Sequence, residues 1–252
     1  MGVKFNARKA FELFQKSGGK TNFPDSLKRV LNNVQDDPNF NDVKEVAWLL
    51  ATAKVESDYS LTRWEADYLC GKWGNKNYQP PCQSALNYYR STAGKKNYFD
   101  LGVDNKGLPY FGRGLIQLTG KRNYELYSKK TGKNLVADAN KALEPDTSYQ
   151  IASDYFSTKK SGYPYTANQY AMAGNFPMAR KIVKGSSSGW EKVKGYYDTW
   201  VDILRKSDLG KKRKIKDVPK TKKEKTRTAL TWASIALILA GVGVGIYLYK
   251  KK

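Results

Sequence analysis

The sequence contains no histidine and only two cysteines among its 252 residues. Without histidine, the Ser-His-Asp and Cys-His arrangements that activate a nucleophilic hydroxyl or thiol are excluded. A zinc site is disfavoured for the same reason, because zinc takes its ligands mainly from cysteine and histidine. Aspartate and glutamate are therefore the natural side chains for acid–base chemistry. We expect neither a metal ion nor a cofactor.

The two cysteines, Cys70 and Cys82, bracket a short segment rich in glycine, asparagine and proline. A disulfide between them would close a short loop and stabilise the fold by about 3 kcal/mol in the chain-entropy model. Two free, buried thiols are an equal alternative, and spacing alone does not distinguish the two states.

The N-terminus lacks the apolar stretch of roughly 7–15 residues that a secretory signal requires. A long uncharged apolar run lies instead at the other end, from Ala229 to Tyr249. About 20 apolar residues in a helix suffice to cross the hydrocarbon core of a bilayer. We therefore expect a single-pass transmembrane helix over residues 229–249, followed by a lysine tail over residues 250–252. Gly241 and Gly245 form a GxxxG pattern, through which two such helices can pair.

Positive charge is concentrated just before the apolar run. The chain has a net charge of +22, and residues 205–252 contribute +12 of it through 15 Lys or Arg against three acids. Residues 205–228 are predicted to form a basic flexible linker, too polar to bury a core. Beside a membrane span, such a cluster attracts anionic lipid headgroups. Nucleic acid is the alternative partner, less favoured because the cluster adjoins the apolar run.

Residues 1–204 are long enough for one domain with a proper core, and hydrophobic spacing predicts that it is mainly α-helical. Asp42 and Glu45 form a candidate capping box for one of its helices. The predicted buried stripe of that helix comprises Val43, Val46, Ala47, Leu50 and Ala53. Further helices are expected over residues 6–16, 25–34 and 190–204, after a Thr119 cap as far as Gly132, and from Asp146 through Phe156. Residues 71–114 are expected to form loops or a small β-ribbon.

Two glutamates near the end of the capping-box helix are candidates for acid–base chemistry. Glu56 continues the apolar stripe, and an apolar surrounding would favour its protonated form. Glu65 lies beyond the expected helix end at residues 58–60, so the chain can fold back and place it opposite Glu56. Two carboxyl groups in unlike environments are what glycoside hydrolysis requires. Most glutamate pairs at such a spacing are solvated surface residues, so spacing alone does not identify an active site.

A second motif, YFGRGLIQLTGKRNY over residues 110–124, is more specific. Gly112 and Gly114 permit close approach of the backbone. Short polar side chains that could position a water molecule or sugar amides follow at Gln117, Thr119 and Asn123. A phosphate-binding loop is excluded because no GxxxxGK[ST] pattern is present. The alternative is a plain turn before a helix.

The Y-F-G-R-G-x-I-Q-L-T-G pattern, downstream of the helix that ends in Val55-Glu56-Ser57, resembles the family 19 glycoside hydrolases. This family includes plant chitinases and many phage endolysins within the lysozyme-like superfamily. The resemblance extends over about residues 23–204 and includes the segment ALEPD at residues 142–146. It implies a two-lobed, mainly α fold with the substrate groove between the lobes.

The resemblance also implies roles for individual residues. Glu56 matches the general acid of the family, and Glu65 matches the second carboxylate of its compact endolysin branch. Gln117 and Thr119 match residues that position the nucleophilic water or the substrate. The implied substrate-binding residues are Tyr110, Arg113, Asn123 and Tyr124.

Two positions depart from the family pattern. Val55 stands where the family usually has histidine before its catalytic glutamate. A late Ile-Asn-Gly-Gly motif would fall at residues 182–185, which here are Ile-Val-Lys-Gly, so its asparagine is missing.

Aromatic side chains are a further source of sugar contacts. Five aromatic side chains are predicted to be able to stack on sugar faces: Trp64, Trp73, Tyr78, Tyr88 and Tyr89. Trp48 and Trp200 are predicted to pack in the core instead.

The endolysin-like spacing of the two acids favours peptidoglycan over chitin as the polysaccharide substrate. The net charge of +10 on residues 1–204 agrees, because it would attract anionic wall polymers. The hypothesis is a membrane-anchored, endolysin-like or muramidase-like hydrolase that cleaves β-1,4 glycosidic bonds by general acid/base catalysis. On the virion membrane of a lipid-containing bacteriophage, it would degrade the host wall at entry. The alternatives are a chitinase, or a catalytically degenerate glycan-binding or structural membrane protein of a virion.

Overall fold

The fold is built from helices packed around one central helix. The computed structural model describes residues 3–71, 81–91 and 98–208, which belong to one compact unit. Within these ranges, nine α-helices are α1 (Ala7–Lys16), α2 (Pro24–Asp36), α3 (Val43–Ser57), α4 (Gln83–Arg90), α5 (Lys121–Thr131), α6 (Pro145–Ser157), α7 (Ala167–Met172), α8 (Phe176–Lys184) and α9 (Trp190–Lys206). Short 3-10 helices cover Asp67–Cys70, Tyr98–Leu101 and Ala139–Leu143. The described residues include isolated β-bridges but no strand, and the mainly α prediction is confirmed.

Helix α3 is the central element, and its start follows the predicted capping box. The Asp42 side chain accepts a hydrogen bond from the backbone N–H of Lys44, and the Glu45 side chain reaches back to the N–H of Asp42. The buried surface of α3 is wider than the predicted apolar stripe, because every residue from 46 to 53 is buried. Helices α6, α7 and α9 pack against α3. A helix covered on several sides must be apolar all round.

The buried side chains fall into two clusters. The larger one surrounds α3 and includes Trp48 and Trp200, which pack in the core as predicted. The smaller cluster comprises Trp64, Ala66, Ala85, Tyr89, Phe111 and Leu143. A disulfide between Cys70 and Cys82 joins the 3-10 helix at Asp67–Cys70 to the start of α4, beside this smaller cluster.

Several boundaries differ from the prediction. Helices α4, α7 and α8 were not predicted, and α9 extends to Lys206, past the domain boundary placed at residue 204. Thr119 was predicted to cap α5, but the residue directly before this helix is Gly120. The Thr119 hydroxyl donates to the Gln117 carbonyl instead (2.8 Å) and does not cap the helix.

The predicted linker from residue 209 onward, the apolar run at residues 229–249 and the lysine tail lie outside the described residues. Among the helices that the structure describes, none combines the length and apolar character needed to cross a bilayer.

Candidate active site

A cavity of about 530 Å³ is lined by residues from both hydrophobic clusters. Ala66 belongs to the smaller cluster, and Ile116 and Leu118 belong to the larger one. The described residues that line it are Glu56, Arg63, Glu65, Ala66, Tyr98, Ile116, Gln117, Leu118, Thr119, Asn123, Tyr155, Val183 and Lys184. Five of the residues singled out from the sequence therefore share one cavity: Glu56, Glu65, Gln117, Thr119 and Asn123.

Glu56 lies in the last turn of α3, where Asp58 ends the helix in a left-handed conformation (φ 54°). Its carboxylate forms an ion pair with the Arg180 guanidinium of α8. Arg180 is only 3% exposed, so its charge lies largely away from solvent. The prediction that Glu56 has an apolar environment is therefore wrong. The helix flanks are apolar, but an arginine distant in sequence compensates the carboxylate.

Glu65 is fixed to the glycine-rich motif through its backbone and its side chain. Its N–H donates to the Gly112 carbonyl (2.7 Å), and the Gly112 N–H donates to its Oε2 (3.2 Å). The Tyr98 hydroxyl donates to Oε1 (3.1 Å), and the Tyr89 hydroxyl donates to the Glu65 carbonyl oxygen. Burial, together with the neighbouring Glu65 charge, raises the pKa of Tyr98 well above its usual range. Tyr98 therefore stays protonated and remains a donor to the carboxylate.

The turn between Gly112 and Gly120 presents polar side chains to the cavity. Gln117 has a positive φ of 54°, and its Nε2 donates to the carbonyls of Arg63 (3.2 Å) and Gly114 (3.0 Å). A Cβ on Gly112 would lie only 3.0 Å from the Gln117 Oε1, so glycine allows this close approach. The Asn123 Nδ2 donates to the Thr119 carbonyl (2.7 Å), which fixes its amide at the same edge.

Three of the four predicted substrate-binding residues do not line this cavity. Tyr110, Arg113 and Tyr124 are at most 1% exposed. The Tyr110 hydroxyl donates to the Val136 carbonyl (2.9 Å), while the Arg113 Nη1 donates to the Tyr124 hydroxyl (3.0 Å). These three buried side chains stabilise the motif through hydrogen bonds away from the cavity. Of the four predicted residues, only Asn123 lines the cavity.

The guanidinium of Arg113 explains why this motif needs an arginine. Its carbon lies 3.6 Å from the centre of the Phe111 ring, and its Nη1 also donates to the Pro109 carbonyl (3.1 Å). Its Nε donates to the Asn140 Oδ1 (3.0 Å). A buried arginine that bonds several backbone and side-chain acceptors fixes the loop shape, which is a structural role.

The predicted stacking aromatics are also placed differently. Trp64 and Tyr89 are at most 3% exposed, because they pack around Phe111 in the smaller cluster. Tyr88 is partly buried, while Trp73 and Tyr78 lie outside the described residues.

Other lining residues were not anticipated from the sequence. Tyr98 and Tyr155 are the aromatic side chains among the described lining residues, and neither belongs to a recognised motif. Arg180 pairs with a residue 124 positions away, a distance at which spacing gives no signal. Val183 and Lys184 do lie in the segment that departs from the Ile-Asn-Gly-Gly pattern, so that departure falls at the cavity wall.

The chain is similar to three solved structures at low sequence identity. Chitinase C from Streptomyces griseus HUT6037 has a TM-score of 0.44 and 17% identity, over 79% of this chain and 81% of that chain. A mutant of chitinase C has a TM-score of 0.42 with the same identity and coverage. A bacterial family 19 chitinase has a TM-score of 0.41 and 15% identity, over 79% of this chain and 84% of that chain. No protein-family model matches the chain, and no curated protein matches it.

Proposed function

We propose that the cavity is the active site of a glycoside hydrolase that cleaves β-1,4 bonds of a cell-wall polysaccharide, with peptidoglycan as the substrate class. The observation that supports this most strongly is that Glu56, at the end of α3, and Glu65, next to Trp64 in the sequence, line one cavity. Gln117, Thr119 and Asn123 add polar side chains beside them. Two carboxyl groups and a water-positioning wall are the minimum that glycosidic hydrolysis requires.

In this proposal Glu56 is the general acid. The Glu56 carboxylate, which pairs with Arg180 in this structure, first takes up a proton, and it becomes negative again as it transfers that proton to the leaving glycosidic oxygen and the bond breaks. The Arg180 guanidinium already bonded to that carboxylate stabilises the developing charge. Arg180 thus assists departure of the leaving group without contacting the sugar.

Glu65 is the general base. Donors from Tyr98 and the Gly112 backbone fix its carboxylate and leave its remaining acceptor sites to bind a water molecule. Gln117 and Thr119 are suited to orient that water. Attack on the face opposite the leaving group inverts the anomeric centre, a mechanism for which the two carboxyl groups stand roughly 6.5–9.5 Å apart.

The preference for peptidoglycan rests on the endolysin-like sequence spacing of the two acids and on the basic charge of residues 1–204. Chitin is the alternative polysaccharide. A catalytically degenerate glycan-binding protein is the second candidate, and the departure at residues 182–185 favours it.

Replacing Glu56 by Gln tests the proposal. The variant cannot donate the proton, so the initial rate of hydrolysis of purified cell walls is expected to fall by about 10²–10⁴-fold. Release of new reducing ends, identified by mass spectrometry of the products, measures the rate and shows which bond is cut. Glu12→Gln is the matched control, because Glu12 lies on α1, pairs with Arg8 and does not line the cavity.

Full activity of Glu56→Gln with unchanged thermal unfolding would exclude the assignment. A wild-type protein that binds walls but releases no reducing ends would instead support the glycan-binding candidate. Glu65→Gln is expected to be impaired in the same assay. Asp58 and Asp67, the other acids near these two glutamates in the sequence, do not line the cavity.

We further propose that the enzyme is anchored in a membrane by residues 229–249 and acts as a lytic enzyme of a lipid-containing virion. The supporting features are the apolar run, the basic cluster before it and the Gly241–Gly245 pattern. Anionic lipid headgroups are the proposed partners of the cluster, with nucleic acid as the alternative.

A further inference from the structure

The rim of the cavity carries a lysine whose charge has no carboxylate partner within the described part of the chain. Lys184 is the last residue of α8, is exposed and lines the cavity. Its Nζ lies 3.3 Å from the Ser188 Oγ, and that hydroxyl is its recorded hydrogen-bond partner. A cation placed in this way is available to an anionic group of a ligand.

The other charged side chains among the described lining residues are already engaged. Glu56 pairs with Arg180, and the Arg63 Nε lies 3.4 Å from an Asp67 carboxylate oxygen. Glu65 accepts hydrogen bonds from a tyrosine hydroxyl and a backbone N–H. The rim lysine therefore determines the sign of the charge that a bound ligand meets at that edge.

Hydroxyl groups next to this lysine extend the same surface. Gly185 ends α8 in a left-handed conformation (φ 81°) and turns the following serines back toward the helix end. The Ser186 and Ser188 hydroxyls lie 3.1 Å apart. An ammonium group followed by two hydroxyls offers several donors to an acceptor such as a carboxylate.

We infer that Lys184, assisted by Ser188, binds a carboxylate of the polysaccharide substrate and selects anionic cell-wall glycan over chitin. This inference rests on the proposed function. The repeating unit of chitin is uncharged, whereas the glycan strands of peptidoglycan bear lactyl groups and peptides that end in carboxylates. An ion pair at an exposed rim is worth little in water, so the selection is modest, about 2–5-fold in kcat/KM.

A lysine at this position also has a plain structural role, because a cation in the last turn stabilises a helix through its dipole. Lys181 provides the matched control. It lies in the same last turn, is exposed and does not line the cavity. Replacing either lysine by Gln removes the same charge from the same helix end, but only Lys184→Gln changes the cavity.

The experiment compares three full-length proteins, wild type, Lys184→Gln and Lys181→Gln, on three substrates. The substrates are native cell walls, the same walls after carbodiimide amidation of their carboxyl groups, and soluble chitin oligosaccharides. Lys184→Gln is expected to lower kcat/KM by about 2–5-fold on native walls and to have no effect on the other two substrates. Lys181→Gln is expected to match wild type on all three.

A loss in Lys184→Gln that persists on amidated walls overturns the inference, because wall phosphates survive amidation and would then be the recognised group. Equal losses in both lysine variants also overturn it, since they report the helix end alone. Unchanged rates in Lys184→Gln, with wild type active, defeat the inference and leave the proposed function standing. A wild type inactive on every substrate defeats the proposed function itself.

Discussion

At the scale of single residues, Asp67 shows the cost of burying a carboxyl group. It is only 2% exposed, and the Arg63 guanidinium lies 3.4 Å away. Burial raises the pKa of Asp67 above its usual value of 3.8, although the Arg63 charge opposes the shift. The folded protein therefore binds this proton more tightly than the unfolded chain does, and the ionised form is disfavoured in the fold.

The replacement Asp67→Asn tests this effect. As pH rises above about 4, the unfolded chain loses the Asp67 proton before the folded protein does, so the free energy of unfolding falls until the raised pKa is passed. The variant lacks this fall and is expected to gain stability relative to wild type as the pH rises from 3 to 7. Urea unfolding at a series of pH values measures it. Asp202→Asn is the control, because Asp202 forms an exposed ion pair with Lys206. If the free energy of unfolding varies with pH in the same way for wild type and Asp67→Asn, the argument is refuted.

Individual site residues were predictable to the extent that they belong to local motifs. Glu56, Glu65 and Gln117 were singled out from the sequence, and the structure brings them to one cavity, while their catalytic roles stay predictions. Arg180 was missed because its ion pair with Glu56 joins elements far apart in the chain. Arg113 was assigned to substrate because a motif does not show which of its side chains point inward.

At the scale of elements, the turn that follows Gly112 depends on the absence of side chains. Gly114 has φ +77°, and a Cβ there would lie 2.5 Å from the Ser148 Oγ and 3.0 Å from the Ala142 carbonyl oxygen. Its N–H also donates to the Arg63 carbonyl (2.7 Å). The motif is therefore held against both α6 and the segment that contains Glu65.

Gly114→Ala is expected to destabilise the fold more than Gly107→Ala. Both glycines have similar positive φ values, +77° and +73°, so the conformational strain of about 1–2 kcal/mol is shared. Of the two added Cβ atoms, only the one at position 114 would lie within 4 Å of other atoms. This clash should add about 1–3 kcal/mol to the loss of stability. Urea unfolding of the two variants isolates this difference. Equal losses of stability would mean that the neighbouring side chain moves away without cost.

Elements were predictable where their signals are local. The capping box of α3 depends on residues within one turn and was predicted correctly. The short helices α4, α7 and α8 were missed, because six to nine residues give little periodicity. The full width of the buried surface of α3 was also missed. Helix α9, which is distant from α3 in the sequence, covers part of it, and local spacing does not show such a contact.

At the scale of the whole molecule, charge and hydropathy separate residues 1–204 from a C-terminal segment of different composition. The full chain is expected to float with anionic lipid vesicles, whereas a chain lacking residues 209–252 is expected to stay at the bottom of the gradient. Both are expected to hydrolyse soluble wall fragments equally. A full chain with Leu237→Arg and Leu239→Arg controls for the basic cluster, which it retains. Flotation of this variant at high salt would contradict anchoring by the apolar run.

Among the described residues, the two proposed catalytic acids lie beside hydrophobic clusters of very different size. Glu56 lies at the end of a helix enclosed by the larger cluster, whereas Glu65 stands beside a handful of side chains around Phe111. Disrupting the smaller cluster exposes far less apolar surface than global unfolding, so it requires less free energy. Local opening would therefore separate the acids while most helices remain intact. Mild heating should abolish turnover before it melts the protein, and cooling should restore it.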